Sequence, residues 1–306
     1  MSTKVGTFHL GYERQAFELM LVEKSNFAVT RMVRLLGVSR SGFYAWLGRV
    51  PSQRAIRTER IEAKVAWFHG DSDEVSGSPR ILADLREDGE VISRKTVAKT
   101  MRKLGLVGVC PRRWKTTTLI DHADAYPVDA AKRDWDKGEL NRVWVGDITY
   151  IKTWTGWAYL ATVIDCHSRK VIGWSIADHM RTELVTGALD MAIKNRHPAP
   201  GVIFHSDRGS QYTSERFRDF CLANNVRPSV GKTGICYDNA VAESFFATIK
   251  KELVHLRPWP TLARLRTAIF NYIETYYNRK RLHSTLNYLS PQEYELAFDA
   301  EVSIAA

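Results

Sequence analysis

Arg142-Val143-Trp144-Val145-Gly146-Asp147-Ile148-Thr149-Tyr150-Ile151 reads as a β-strand with an aspartate inside it. The run is rich in β-branched and aromatic residues and holds no proline, as a strand requires. A carboxylate in a strand that is otherwise apolar is costly unless something offsets its desolvation, and a divalent cation is the usual partner. Two more strands are predicted at 157–166 and 170–178, after the breaks Trp154-Thr155-Gly156 and His167-Ser168-Arg169. Breaks that short predict an antiparallel meander.

Downstream the texture alternates. Arg181–Arg196 has a helical stripe (Leu184, Leu189, Ile193), 202–207 is a short apolar strand, Ser214–Asn224 is helical and Val226–Val230 is extended. A loop, Gly231–Tyr237, then leads to a helix over 238–255. Three antiparallel strands followed by alternating helix and strand predict an α/β fold, a mixed sheet with flanking helices. The order does not suit a doubly wound dinucleotide fold. The chain also lacks a Gly-x-Gly-x-x-Gly or Walker sequence, so no nucleotide cofactor is expected.

Two further carboxylates stand in this region. Asp207 ends the run Val202-Ile203-Phe204-His205-Ser206-Asp207, and Glu243 lies in the first turns of the 238–255 helix; thirty-five residues lie between them. In that helix Ala242, Phe246, Ile249 and Leu253 form the apolar stripe, with Glu243 at its edge. Lys250, seven residues on, projects from nearly the same side and is placed to grip a phosphate. Asp147, Asp207 and Glu243 together suit two Mg²⁺ ions, the arrangement that cuts and rejoins phosphodiesters. Asp238 and Asn239 read as helix caps. Asp165 is the rival for a metal position, its place before the His167 turn suggesting a turn role instead; His205 reads as a core hydrogen-bonding residue.

Charge separates the two ends of the chain. Residues 1–118 hold 21 Lys and Arg against 12 Asp and Glu, whereas 119–306 hold 23 against 22. A polyanion would therefore be drawn to the N-terminal part. There, Phe27–Gly37 and Arg40–Arg49 read as two short helices about a Val38-Ser39 turn, the helix-turn-helix pattern, with Arg40 and Ser41 opening the second helix toward phosphate or base edges. The pattern recurs in helices at Arg54–His69, Pro79–Glu87 and from the cap Ser93 to Leu104, the last carrying Arg94, Lys95 and Lys99. Residues 107–140 read as a basic linker in which Arg112, Arg113 and Lys115, around Trp114, suit a DNA backbone.

Other classes are excluded or disfavoured. No stretch of eighteen apolar residues predicts a membrane span, and the N-terminus has no signal pattern, so a cytoplasmic, nucleoid-associated protein is expected. Cys110, Cys166, Cys221 and Cys236 are scattered without a Cys-x-x-Cys pair, which supports neither zinc nor disulfides.

Trp144-Val-Gly-Asp-Ile-Thr-Tyr-Ile151, His205-Ser-Asp-Arg-Gly-Ser-Gln-Tyr212 and Asp238-Asn-Ala-Val-Ala-Glu-Ser-Phe-Phe-Ala-Thr-Ile-Lys-Lys-Glu252 resemble the catalytic core of bacterial insertion-sequence transposases. The resemblance is to insertion-sequence family three, whose core is similar to retroviral integrase. Tyr277-Asn-Arg-Lys-Arg-Leu-His-Ser-Thr-Leu286 with Ser290-Pro291, Gly37-Val-Ser-Arg-Ser-Gly-Phe-Tyr-Ala-Trp46 and Gly77-Ser-Pro-Arg80 extend it over about residues 27–295. It implies an RNase H-like core with Asp147, Asp207 and Glu243 as an acidic triad and Lys250 as the nearby base. The activity implied is Mg²⁺-dependent nicking of the element's ends and joining of the freed 3′-hydroxyl to target DNA, with Mn²⁺ able to replace Mg²⁺. On this reading 1–106 is a helical DNA-binding region, 107–140 a linker, 141–295 the catalytic core and 296–306 a tail. Duplex DNA and further copies of the chain are the expected partners. Because the first 25 residues show no sustained heptad repeat, the chain resembles the downstream-frame product, with an upstream-frame subunit as a further partner. Two other functions fit part of the pattern: a non-catalytic helix-turn-helix regulator of the element, and an RNase H-type nuclease.

Overall fold

A computed structural model describes residues 6–109, 137–230 and 240–305. They form two compact units, one within residues 1–63 and one within 64–306. The first unit contains α1 (Gly6–Val22), α2 (Val29–Leu36) and α3 (Arg40–Leu47), and the start of α4 (Gln53–Asp71). Phe17 and Met20 of α1 pack on Met32 of α2 and Phe43 of α3, so three short helices share one small core. Gly37 ends α2 in the left-handed conformation that glycine adopts without strain, and Ser39 caps α3 by accepting the Gly42 N–H at 2.8 Å. α1 was not anticipated from sequence. Its apolar residues run round the helix, leaving Leu19 and Val22 exposed while Met20 is buried, so no clean stripe marks it.

The second unit opens with the rest of α4, then α5 (Ser78–Glu87) and α6 (Arg94–Lys103). Ser93 caps α6 as expected, accepting the Thr96 N–H at 3.3 Å. β1 (Val143–Thr153), β2 (Gly156–Asp165) and β3 (Val171–Ala177) form the predicted antiparallel meander. After α7 (Thr182–Arg196) come β4 (Ile203–Ser206), α8 (Ser210–Thr213), α9 (Glu215–Ala223) and β5 (Arg227–Val230). The strands lie in the order β3-β2-β1-β4-β5, with β4 parallel to β1 and β5 parallel to β4.

Helices cover both faces of this mixed sheet. α7 and α9 pack on one face through Leu184, Leu189 and Phe217 against Trp144, Ile172 and Phe204. On the other lie α10 (Ala240–Glu252), α11 (Leu262–Phe270) and a π-helical turn (Asn271–Tyr277), whose Phe246, Ile249, Leu265 and Ile273 meet Val143, Val145 and Ile151. The close approach of α7 requires Gly173, where a Cβ would stand 2.2 Å from the Ala188 carbonyl oxygen. α12 (Pro291–Ala305) is a helix that runs on through residues read from sequence as a tail.

Residues 64–109, read from sequence with the N-terminal helical region, fall in the same compact unit as the sheet. Polar contacts explain this. Glu252 of α10, 8% exposed, accepts from Arg281 at 2.8 and 2.9 Å, from Arg80 of α5 at 3.2 Å and from the Tyr272 hydroxyl at 2.7 Å. Lys280 pairs with Asp71 of α4 at 2.8 Å. Asn278 bonds both the N–H and the carbonyl of Val171, pinning β3. The Tyr277–Leu286 motif thus fastens α4 and α5 to the core.

Candidate active site

Where β1 and β4 separate, a site opens. Their ladder covers only Val143–Val145 against Ile203–His205, and continuing that register by two residues sets Asp147 beside Asp207. Asp147 has the parity of Val143, Val145 and Ile151, so it belongs to the face that α10 covers. Its Oδ1 accepts the Ile148 N–H at 2.7 Å. Burial, and then the charge of Asp207, push the Asp147 carboxyl up to about 7; the Ile148 N–H and Lys250 oppose the shift, and Glu243 adds to it.

Asp207 is exposed at the end of β4, and its Oδ1 accepts the Gly209 N–H at 3.0 Å. Glu243 is half-buried in the first turn of α10, and burial raises its carboxyl above the ordinary range. Lys250, also half-buried, is pulled down by burial and held up by Asp147; its Nζ stands 5.5 Å from the centroid of the Tyr150 ring. So the structure brings Asp207, Glu243 and Lys250 within electrostatic range of Asp147. Among the described residues, however, no three acidic, His or Cys side chains are close enough to enclose a metal ion as they stand. The donor set still fits a hard cation. Its central carboxylate is desolvated and faces two like charges, which among the described residues Lys250 offsets.

Tyr212 is a neighbour that sequence reading passed over. It is buried against Phe204 and Phe217, and its phenol is raised well above its ordinary range by burial, then by Asp147 and Asp207. The signal was present in the string that begins at His205, but an aromatic there reads simply as core.

The rival carboxylate is occupied elsewhere. Asp165 accepts from the N–H groups of His167 (2.9 Å) and Ser168 (3.2 Å) with one oxygen and from Asn141 N–H (2.8 Å) with the other, which makes it the organiser of a turn. His205 is fully buried, its Nδ1 2.9 Å from the Ser229 hydroxyl, a core contact as expected.

The proposed DNA-contacting residues divide into three groups. Arg40 and Ser41 are exposed at the start of α3, with the Arg40 guanidinium 5.9 Å from the Tyr44 ring centroid. Arg94, Lys95 and Lys99 are exposed on α6. Arg94 also lines a cavity of about 780 Å³ with Arg80, Arg169 and Arg281, and no acidic side chain is among its described lining residues. Arg112, Arg113 and Lys115, like Asp238 and Asn239, lie outside the described residues.

The sequence matches the "Integrase core domain" models over residues 139–236 and 243–297, and the "HTH-like domain" model over 57–114. It is 37% identical over 281 residues to the transposase InsF for insertion sequence IS3A of Escherichia coli (strain K12), spanning 90% of this chain and 97% of that one. It is 34% identical to the putative transposase for insertion sequence element IS986/IS6110 of Mycobacterium tuberculosis, over 86% and 97%. Among solved structures, the HTLV-2 integrase catalytic core domain in complex with magnesium aligns with 47% of this chain and 91% of its own, at 20% identity and a TM-score of 0.37. The sheet order β3-β2-β1-β4-β5 with helices on both faces is the RNase H-like arrangement. With an integrase core behind an HTH-like domain, and identity along nearly the whole length of its relatives, this chain belongs to the IS3 family of insertion-sequence transposases, enzymes of the polynucleotidyl transferase class.

Proposed function

We propose that Asp147, Asp207 and Glu243 form one acidic site that nicks the ends of an insertion sequence and joins the 3′-hydroxyl to target DNA. The observation that carries this reading is the Asp147 carboxyl, held up to about 7 by burial and by the facing Asp207 and Glu243. Such a group gains from positive charge beyond that of Lys250. The three carboxylates would hold two Mg²⁺ ions, or Mn²⁺ in their place, which when bound supply the charge that activates the attacking oxygen and stabilises the leaving one. Asp147 and Asp207 hold their geometry through the Ile148 and Gly209 N–H groups. Lys250, beside Asp147, grips a phosphate oxygen of the strand to be cut. No side-chain nucleophile is required: water opens the first phosphodiester and the freed 3′-hydroxyl attacks the second in line.

Residues 1–106 bind the element's ends, with Arg40, Ser41, Arg94, Lys95 and Lys99 facing duplex DNA and Arg112, Arg113 and Lys115 following the backbone. Two ends must meet, so several copies act together on DNA, and an upstream-frame subunit joins them. The test is cleavage and strand transfer on a labelled duplex carrying the element's end, with Mg²⁺ and with EDTA, for the wild type and Glu243→Gln. Metal-dependent nicking and joining, both lost in the variant, is expected. Binding without cutting would favour the regulator reading, and repeating the assay with the fused upstream frame would show whether that segment restores cutting.

A further inference from the structure

Exposed aromatic rings and cations group on the β1–β2 hairpin, and Lys250 of α10 reaches them from beside Asp147. Lys152 pairs with Trp157 across the strands, and the Lys152 Nζ lies 4.8 Å from the centroid of the Trp157 ring. The Tyr150 and Trp157 rings meet edge to face at 5.3 Å, and Lys250 stands over Tyr150. At the tip is Trp154. These rings are open to solvent: Tyr150 is 62% exposed, Trp157 46% and Trp154 73%. Burying such rings is favourable, so an exposed set grouped on one hairpin marks a binding surface.

The hairpin is also built to stay in place. The Trp154 N–H donates to the Trp259 carbonyl at 2.9 Å, and the Thr153 hydroxyl donates to the Gly156 carbonyl at 2.8 Å across the turn. A turn held in this way loses little backbone freedom when a ligand covers it.

We propose that this hairpin is a stacking platform for unpaired bases of the DNA strand that enters or leaves the acidic site. Charge selects the occupant. From residue 148 to residue 164 the chain has no Asp or Glu, whereas Lys152, and Lys250 from α10, touch the rings. Lysine is depleted in protein–protein interfaces, while rings interleaved with cations suit a strand offering base faces and phosphates alternately. Duplex bases stack on each other and hide those faces, so the platform takes unpaired nucleotides. Lys250 joins the two regions, lying over Tyr150 and acting electrostatically on Asp147.

This inference rests on the reading of the chain as a DNA-cutting enzyme, but its test does not require cutting. The full chain is titrated in EDTA with an end duplex, either blunt or carrying a short unpaired extension with 2-aminopurine. The wild type should prefer the extended duplex and change the probe's fluorescence through stacking. Trp154→Ala and Trp157→Ala should each weaken the extended duplex about tenfold and the blunt one less than about twofold, and Trp154→Phe should keep most of the preference. Unchanged preference in both alanine variants, or equal losses on both DNAs, would overturn the proposal. So would altered subunit association with DNA preference intact, since the rings would then be covering protein. Glu243→Gln should keep the preference, which separates a failure of the platform from a failure of catalysis.

Discussion

Gly146 lies so close to the Phe204 ring that a Cβ built on it would stand 2.2 Å from the ring's Cζ. The residue before the central aspartate therefore has no room for a side chain. Phe204 itself cannot easily retreat, because Tyr212 and Phe217 pack on it at 5.9 and 5.5 Å between ring centroids. Gly146→Ala should destabilise the protein by about 1–3 kcal/mol by overpacking, and should lower cleavage more than DNA binding because the strain falls beside Asp147. Urea unfolding and the cleavage assay measure the two effects. The double variant Gly146→Ala/Phe204→Leu should recover part of both losses.

Asp147 gives a pH dependence with a definite sign. Its folded pKa, about 7, is above the ordinary aspartate value of 3.8, so between these values the native state keeps a proton that the unfolded chain has lost. This group's contribution therefore lowers metal-free stability as pH rises from about 4 through about 7, and is constant above that. A bound divalent cation must displace the same proton, so at subsaturating Mg²⁺ the cleavage rate should rise with pH through about 7. Lys250→Ala removes the opposing cation and should move that midpoint upward. A pH–rate profile unaltered by this substitution would contradict the coupling.

The two strand-borne aspartates should part company on mutation. Asp147→Asn should reduce strand cleavage by at least about 100-fold with DNA binding nearly unchanged, and should raise the metal-free melting temperature above pH 7 by removing a buried like charge. Asp165→Asn should do the reverse. It weakens a turn held by three N–H groups and should cost about 1–3 kcal/mol, while the folded fraction still cuts DNA.

Glu252 supplies the test of what fastens the HTH-like helices to the core. Arg281 beside it is 8% exposed, and the two form a buried pair with Arg80 at the edge. Glu252→Gln leaves buried guanidinium charge uncompensated and should cost about 3–5 kcal/mol. Limited proteolysis should then release a fragment cut near residues 72–77, which the wild type resists.

The carboxylates of the proposed site were legible because each sits in a context that local chemistry marks: mid-strand, strand end, and first turn of an amphipathic helix. The meander was legible too, since period-two patterning and three-residue breaks fix it locally. Less legible was anything that depends on partners distant in sequence. Glu252 and Arg281 lie 29 positions apart, and only the folded chain brings them together. Asp165 and Asp147 are both strand aspartates, and only the N–H groups gathered around Asp165 separate the turn-former from the acidic site. The extent of α12, and α1 itself, escaped because their exposed apolar residues blur the stripe on which helix recognition depends. Tyr212 escaped for another reason: an aromatic beside a strand reads as core whether or not its hydroxyl faces two carboxylates.

Three carboxylates, from β1, the end of β4 and α10, are proposed to act as one cation site. Its most direct test is Mn²⁺ binding to the full chain, followed by electron paramagnetic resonance at pH 8, for the wild type and for Asp147→Asn, Asp207→Asn and Glu243→Gln. The wild type should bind Mn²⁺, and each substitution should weaken binding at least about tenfold. Mn²⁺ binding unchanged in all three variants would contradict it.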